Sequence, residues 1–214
     1  MDASRIQVFT GGMAATNGYL FEGPGGVILV DAPEGVSGWL AGLGVRVGAI
    51  LLTHGHYDHV LDAARVKREH GCRVYCFEEI TPELTLEVLL QSMGMGEAVE
   101  KVEADEYLAG EEAVEVLGES FRVLHVPGHS PDSICFFSED GDEGGGVLFG
   151  GDVLFRGSIG RTDFPHGDHE LLITGIRDKV FGLGDGVRVL PGHGPETTVG
   201  VERASNPYVG DGGY

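Results

Sequence analysis

The stretch His54-Gly55-His56-Tyr57-Asp58-His59 decides how this sequence is interpreted. It follows an apolar run at residues 49–52, which is typical of a buried strand that ends in a loop. In extended chain, side chains at positions i and i+2 point the same way, so His54 and His56 can share one ion. Asp58 and His59 are then expected to face a second metal position. Imidazole and carboxylate groups are ligands that zinc accepts, so the stretch predicts a metal site at a strand end.

Each member of this stretch also has an ordinary explanation. Asp58 alone could be a helix N-cap, and any one histidine could be a surface residue. These explanations become weak when all four candidate ligands occur together at this spacing.

Length and composition bound the class of protein. With 214 residues, 42% of them hydrophobic, the chain is long enough to bury a core, and we expect one globular domain over residues 1–214. No segment resembles a signal peptide or a membrane-spanning helix. The three cysteines, Cys72, Cys76 and Cys135, are too sparse for a disulfide framework, and we interpret the first two as buried thiols. We therefore expect a cytoplasmic protein.

The charge balance limits the partners. A net charge of −20 repels nucleic acid and anionic membranes, so neither is expected as a partner. A small-molecule substrate is expected instead. The acidic residues between Glu97 and Glu119 are interpreted as a solvated face. The sequence leaves the oligomeric state open.

Residue patterns along the chain predict an α/β protein. Strands are predicted at residues 6–10, 18–21, 27–30, 49–52, 73–77, 114–117, 121–126, 133–137, 147–149 and 187–190. Helices are predicted at residues 37–43, 60–70 and 171–180. Thr81-Pro82 is typical of a helix start, with the helix continuing to Gly94. Asp140-Gly141-Asp142 is interpreted as a turn, because no glutamate follows at the distance that a calcium loop requires.

Three further residues share the setting of the first stretch. His129, Asp152 and His193 each follow a predicted strand and lie among glycines, which permit close backbone approach. Loops at strand ends can converge on one edge of a fold. Five histidines and two aspartates are enough for two divalent ions that share a carboxylate. Two such ions would lower the pKa of a bridging water, so that a hydroxide nucleophile exists near neutral pH.

The complete set resembles the ligand pattern of the metallo-β-lactamase superfamily, in the same order and over roughly residues 5–209. The resemblance implies an αββα sandwich with a dinuclear site at one edge. It also implies the ligand roles. His54, His56 and His129 would bind the first metal, Asp58, His59 and His193 the second, and Asp152 would bridge them. Zinc is the expected metal, with iron or manganese as alternatives.

A narrower resemblance concerns the segments 151–165 and 191–198 and the pair Asn206-Pro207, which are similar to short glyoxalase II-like hydrolases. That similarity implies hydrolysis of thioesters such as S-lactoylglutathione by a metal-bound hydroxide, with Asp58 and Asp152 in the catalytic centre. Longer glyoxalases place a lysine and a tyrosine where this chain has Arg161 and Asp163. Arg161 keeps the positive charge that a substrate carboxylate would need. Asp163 does not replace the tyrosine.

Several alternatives remain open at this stage. Arg161 is interpreted either as a substrate contact or as a structural ion pair, and Tyr57 as a residue that lines the pocket. His125 is expected beside the site or in the core, and His70, His166 and His169 at the surface. The segment 84–95 is either a lid or an ordinary packed helix. A persulfide dioxygenase with one iron, or a lactonase or lactamase, is the alternative function, whereas a non-enzymatic metal-binding module fits the complete ligand set poorly.

Overall fold

Strand-forming runs in the first half of the chain build one six-stranded sheet. The computed structural model describes residues 6–94, 98–139 and 145–212. β1 (Gln7–Gly11), β2 (Thr16–Gly23) and β3 (Gly26–Val30) form the expected antiparallel meander. β4 (Val47–Leu51), β5 (Arg73–Cys76) and β6 (Glu106–Tyr107) then add in parallel, one after another.

The second half of the chain builds another six-stranded sheet. Its first four strands pair antiparallel in sequence order, as β7 (Ala113–Val116), β8 (Glu119–His125), β9 (Ile134–Ser138) and β10 (Val147–Gly151). A separate small hairpin follows, with β11 (Leu154–Phe155) and β12 (Ser158–Ile159). β13 (Arg188–Pro191) then pairs parallel to β10, and β14 (Thr197–Thr198) closes the edge.

The turn between β7 and β8 has the backbone that a tight hairpin needs. Leu117 and Gly118 have φ values of 51° and 77°, and two consecutive positive φ angles match the twist of the flanking strands. Glycine takes this conformation readily, whereas leucine rarely does. The side chain of Leu117 packs against the core between the sheets. The hairpin predicted around Gly118 is confirmed.

Helices cover both outer faces of the paired sheets. They are α1 (Val36–Leu43), α2 (Tyr57–Val60), α3 (Ala63–His70), α4 (Glu87–Ser92), α5 (His169–Gly175) and α6 (Val199–Ser205). One buried cluster, which includes Phe21 and Phe149, joins the inner faces of the two sheets. A second cluster packs α1 and α3 on the first sheet, and a third packs α5 on the second. The predicted αββα sandwich is confirmed.

Three helix boundaries differ from the sequence prediction. The helix expected from Thr81 begins only at Glu87, because residues 82–86 form turns and Leu86 has a left-handed backbone with φ 58°. The helix expected over residues 60–70 is two helices, and the first of them already starts at Tyr57. The last predicted helix begins at His169, where Asp168 accepts a hydrogen bond from the Leu171 amide, and continues as a π-helical turn at Ile176–Val180.

The remaining expectations about the fold have mixed outcomes. Cys72, Cys76 and Cys135 are free and buried, as expected for the first two, and burial raises the pKa of each thiol. Within the described part of the chain, no helix has both the length and the apolar character needed to cross a bilayer. The Asp140–Asp142 turn lies outside the described residues.

Two backbone hydrogen bonds join the sheets beside the predicted site. The Ile134 amide donates to the Thr53 carbonyl at 2.8 Å, and the Asn17 amide donates to the Gly192 carbonyl at 2.7 Å. The Gly192 amide also donates to the carbonyl of Gly151, the last residue of β10, at 2.8 Å. The loops after β4, β10 and β13 therefore meet at one edge of the sandwich.

Candidate metal centre

Loops from both sheets bring the predicted ligands together at this edge. His54 and His56 follow β4, and Asp58 and His59 lie on α2. The second sheet contributes its residues from three loops, which are those after β8, β10 and β13 and carry His129, Asp152 and His193. Each residue that the sequence singled out as a ligand is part of one cluster.

Potential ligand atoms in the cluster form three overlapping groups, and the atoms of each group lie within 4.8 Å of one another. The groups are His54, His56 and His129; His54, His59 and Asp152; and Asp58, His59 and His193. The first and last groups match the two sets that the sequence resemblance implies.

Asp152 lies between these two sets. Its Oδ1 is 3.3 Å from His59 Nε2, and its Oδ2 is 3.4 Å from His129 Nε2 and 3.3 Å from His193 Nε2. One carboxylate thus faces ligands of both sets, which is the position that a bridging ligand requires.

Unpaired buried atoms indicate that the cluster fits metal ions. The Nε2 atoms of His54, His59 and His129 and the Oδ1 atom of Asp152 are buried and have no hydrogen-bond partner among the described residues. A buried polar atom without a partner is costly, and native proteins rarely leave one. All four atoms converge on the same space, and nitrogen and carboxylate oxygen suit zinc or iron.

The other ring nitrogens have partners that fix the imidazole tautomers. His59 Nδ1 donates to Asp31 Oδ2 at 2.8 Å, and His129 Nδ1 donates to the Arg161 carbonyl at 2.8 Å. His193 Nδ1 donates to the Ala14 carbonyl at 3.1 Å. With Nδ1 as a hydrogen-bond donor, Nε2 is the atom that would bind a metal ion, as in metal-binding histidines of other proteins.

Protonation differs between the two ligand sets. Burial lowers the pKa of His54 well below its ordinary value, and it is the main cause that lowers the pKa of His56 to about 3. Burial also lowers the pKa of His129. These three imidazoles are therefore neutral at pH 7 and hold their lone pairs ready for a cation.

The second set holds protons in the metal-free chain. Burial opposes the charged form of His59, but the carboxylates of Asp58 and Asp152 raise its pKa well above the ordinary value. Burial likewise opposes the charged form of His193, and hydrogen bonds to the same two carboxylates raise its pKa to about 10. Burial alone would raise the pKa of Asp58, but His59 and His193 lower it to about 2.

Backbone packs tightly around the cluster at two glycines. A Cβ on Gly192 would lie 2.2 Å from Asp152 Oδ1 and 2.6 Å from His59 Cε1. Gly151 has φ +48°, and a Cβ there would lie 2.5 Å from Thr53 Oγ1. Only glycine permits this approach, so these positions explain two of the glycines noted beside the ligands.

A cavity of about 380 Å³ opens onto the cluster. Tyr57 and Arg161, the two predicted substrate contacts, both line it, together with apolar side chains that include Leu86, Phe155 and Phe164. Arg161 donates to both carboxylate oxygens of Asp163, at 2.6 and 2.8 Å, and its guanidinium lies 4.0 Å from the centre of the Phe164 ring. The arginine thus makes an ion pair at the cavity wall.

Sequence reasoning missed several polar residues around the ligands. Asp31 accepts hydrogen bonds from the Thr53 amide, the Thr53 hydroxyl and His59. Asp132 is buried and accepts from the Gly55 amide at 2.7 Å. Asp31 directly follows the apolar run that became β3, so the same strand-end signal that singled out His54 could have found it. Asp132 lies in an ordinary loop, and no local pattern marks it.

The remaining histidines lie away from the cluster. His125 is half-buried, its Nε2 donates to the Pro131 carbonyl at 2.8 Å, and its ring stacks on Phe77. His166 and His169 are exposed, as expected, whereas His70 is half-buried and its Nδ1 accepts from the Val47 amide at 3.1 Å. The surface interpretation of His70 is therefore only half right.

The segment proposed as either lid or packed helix lies beside the cavity. Leu84 and Leu86 are buried, whereas Val88 and Met93 are 60% and 61% exposed. Met95 lies outside the described residues.

The sequence matches the family model of the metallo-beta-lactamase superfamily over residues 11–193. Among curated proteins, it is 38% identical to hydroxyacylglutathione hydrolase GloC of Haemophilus influenzae, over 78% of each chain. It is also 36% identical to the probable metallo-hydrolase YqgX of Bacillus subtilis, over 75% of each chain.

Two solved structures show the same architecture. The B3 metallo-beta-lactamase BLEG-1 is 32% identical, with a TM-score of 0.81, and the match covers 95% of this chain and 99% of that one. A second protein, solved in a di-iron-bound form, is 34% identical, with a TM-score of 0.80, covering 94% and 99%.

Proposed function

The chain belongs to the metallo-β-lactamase superfamily, and from this membership we propose that it is a dinuclear metal-dependent hydrolase of thioesters such as S-lactoylglutathione. The observation that carries the proposal is the position of Asp152 between two sets of ligand atoms, with four buried atoms unpartnered. The similarity to a hydroxyacylglutathione hydrolase supports the thioester as the substrate.

The residues that would hold the ions follow from the two sets. His54, His56 and His129 would hold one ion. Asp58, His59 and His193 would hold the other, with Asp152 shared. When bound, the two ions supply Lewis acidity, which polarises a carbonyl and makes water available as a nucleophile near neutral pH.

The protein's own contribution is to fix charge and orientation. Two carboxylates, Asp58 and Asp152, offset part of the charge of two divalent cations. Thr16 Oγ1 donates to Asp58 Oδ2 at 2.6 Å, which holds one carboxylate in place. Asp31 holds the His59 ring in the same manner. Groups oriented in advance need little reorganisation during a reaction.

The cavity wall supplies the contacts with substrate. Tyr57, the neighbour of Asp58 in sequence, lines the cavity. Arg161 and Asp163 are both largely exposed, at 57% and 68% of their side chains, so their ion pair contributes little and the guanidinium can exchange Asp163 for a substrate carboxylate. We expect zinc as the metal, and iron is tested alongside because of the di-iron-bound relative.

The test combines metal analysis with a kinetic panel. The protein is reconstituted with zinc, iron or manganese and assayed with S-lactoylglutathione, an uncharged thioester, a lactone, a β-lactam and glutathione persulfide. We expect about two ions per chain and thioester hydrolysis. One ion at saturation, with oxygen uptake on persulfide and no thioester turnover, would overturn the proposal in favour of a dioxygenase.

Matched variants separate the centre from its surroundings. Asp152→Ala should remove most activity and weaken the binding of both ions together. His129→Ala should cost more activity than His125→Ala, because His125 makes its contacts outside the cluster. The reverse order would show that the ligand in this loop is misassigned.

A β-lactamase is the second candidate function. The similarity to the B3 enzyme BLEG-1, which extends over 95% of this chain, favours it. The same kinetic panel decides between the two, since a lactamase would hydrolyse the β-lactam with the higher kcat/KM.

A further inference from the structure

An apolar groove of about 350 Å³ lies beside the cavity of the metal centre. It lies between the segment that leads into α4 and the loop that follows Phe164. Most of its wall is formed by Pro82, Leu86, Val88, Leu89 and Pro165. Val88 is 60% exposed, although it is a branched apolar side chain on the first turn of a helix. Exposure of such an apolar surface to water is unfavourable, and contact with another apolar group lowers the free energy.

The groove and the cavity adjoin each other at one side chain. Leu86 lines both spaces and is itself buried. Phe164 lines the cavity, and its neighbour Pro165 lines the groove. Leu86 also has a left-handed backbone, with φ 58°, which a bulky residue rarely adopts, and such departures concentrate at binding sites.

Charge in the groove disfavours an anionic occupant, and the cavity beside it offers one arginine. Among the described residues that line the cavity, Arg161 is the single arginine or lysine, and Asp163 already pairs with it. The groove is lined by Glu83 and, within the described part of the chain, by no arginine or lysine. A tail with two carboxylates, such as that of glutathione, would therefore find few cationic partners here.

We infer that the groove binds an apolar group of the substrate, so that the preferred substrates are thioesters with an extended uncharged chain. The inference rests on the proposed thioester hydrolysis. An alkyl chain that enters from the metal centre past Leu86 would cover Val88 and Leu89. The resulting burial of apolar surface favours long chains over short ones.

The test is a series of uncharged thioesters on the metal-loaded protein. One arm lengthens the acyl group of N-acetylcysteamine thioesters from acetyl to hexanoyl, and the other lengthens the alkyl group of thioacetates. In one of the two arms, kcat/KM should rise by up to about fourfold for each methylene that the groove covers. The rising arm identifies which half of the thioester occupies the groove.

Two charge-matched variants on α4 locate the effect. Val88→Glu places a carboxylate in the groove, whereas Gln91→Glu adds the same charge at an exposed position outside it. Val88→Glu should lower the ratio of kcat/KM between the longest and shortest substrates by about tenfold, because an alkyl chain would then lie against a charge. Gln91→Glu should leave both this ratio and the kcat/KM of the shortest substrate within about twofold of wild type.

A binding measurement separates this inference from the proposed function. Calorimetry with S-hexyl-N-acetylcysteamine, a thioether that cannot be hydrolysed, should give tighter binding to wild type than to Val88→Glu. Thioester turnover with no dependence on chain length in either arm would overturn the groove assignment and leave the hydrolase standing. Absence of all thioester turnover would instead overturn the proposed function.

Discussion

Replacing Asp31 by asparagine should weaken metal binding without disturbing the fold. Asp31 is 2% exposed and has φ 57°, a backbone region that asparagine tolerates as well as aspartate does. The Thr53 amide donates to its Oδ1 at 2.8 Å, and asparagine keeps that acceptor. The change therefore falls on Oδ2, where an NH₂ group would replace the oxygen.

The expected loss follows from the partners of Oδ2. His59 Nδ1 and the Thr53 hydroxyl both donate to it at 2.8 Å, and an NH₂ group can accept from neither. Hydrogen bonds to a charged group contribute about 1.5–3 kcal/mol, and outer partners of metal ligands are typically worth 10- to 100-fold in affinity. The imidazole would then favour the tautomer with its proton on Nε2, the atom that faces the cluster.

Metal affinity is measured by competition with a chelator of known affinity, at constant pH. The ion held by Asp58, His59 and His193 should bind about 10- to 100-fold more weakly in Asp31→Asn. Asp62→Asn is the matched control, because Asp62 is a carboxylate that accepts from the Gly35 and Ser37 amides away from the centre. Unchanged affinity in Asp31→Asn would refute the argument that this carboxylate sets the His59 tautomer.

Three other outcomes are expected. Zinc binding at pH 7 should release about two protons, since His59 and His193 hold protons in the metal-free chain and must lose them to bind an ion; affinity should therefore rise with pH. Calorimetry in buffers of different ionisation enthalpy checks this, and a binding enthalpy independent of the buffer would contradict it. Gly192→Ala should lower metal content and activity severely, because its Cβ would meet Asp152, whereas Gly38→Ala, with open space around it, should not. Removal of metal with a chelator should lower the Tm measured by calorimetry, because an ion that binds only the folded state stabilises it; an unchanged Tm would mean that the metal-free protein is equally stable.

The convergence of the candidate ligands could be predicted from the sequence because most of them combine a distinctive residue type with a strand end. Strands were predicted where apolar residues run together, and β4 and β10 lie within a residue or two of their expected bounds. The meander at the start was recognisable because glycine turns separate short runs. His54, His56 and Asp152 could then be expected to lie close together, because loops at the strand ends of two packed sheets converge on one edge.

The helix limits could not be predicted as well, since tertiary contacts override local propensity there. Thr81 and Pro82 carry a strong helix-start signal, yet Leu86 takes a left-handed backbone and the helix begins after it. Asp132 was also beyond reach, because its role depends on contact with the Gly55 amide, which is remote in sequence. The ion pair between Arg161 and Asp163 could not be predicted, because a separation of two residues does not determine whether the side chains meet.

The division of the ligands between the two halves of the chain has a consequence for biosynthesis. The candidate ligands that follow the first sheet's β4 are His54, His56, Asp58 and His59, whereas His129, Asp152 and His193 follow strands of the second sheet. During translation the first sheet can form once residue 107 has emerged, but neither ligand set is complete at that stage. A ribosome-bound chain can therefore present at most an incomplete chelate. With the proposed ligand assignment, stable metal binding has to wait until His193 has left the exit tunnel and β13 has docked beside β10.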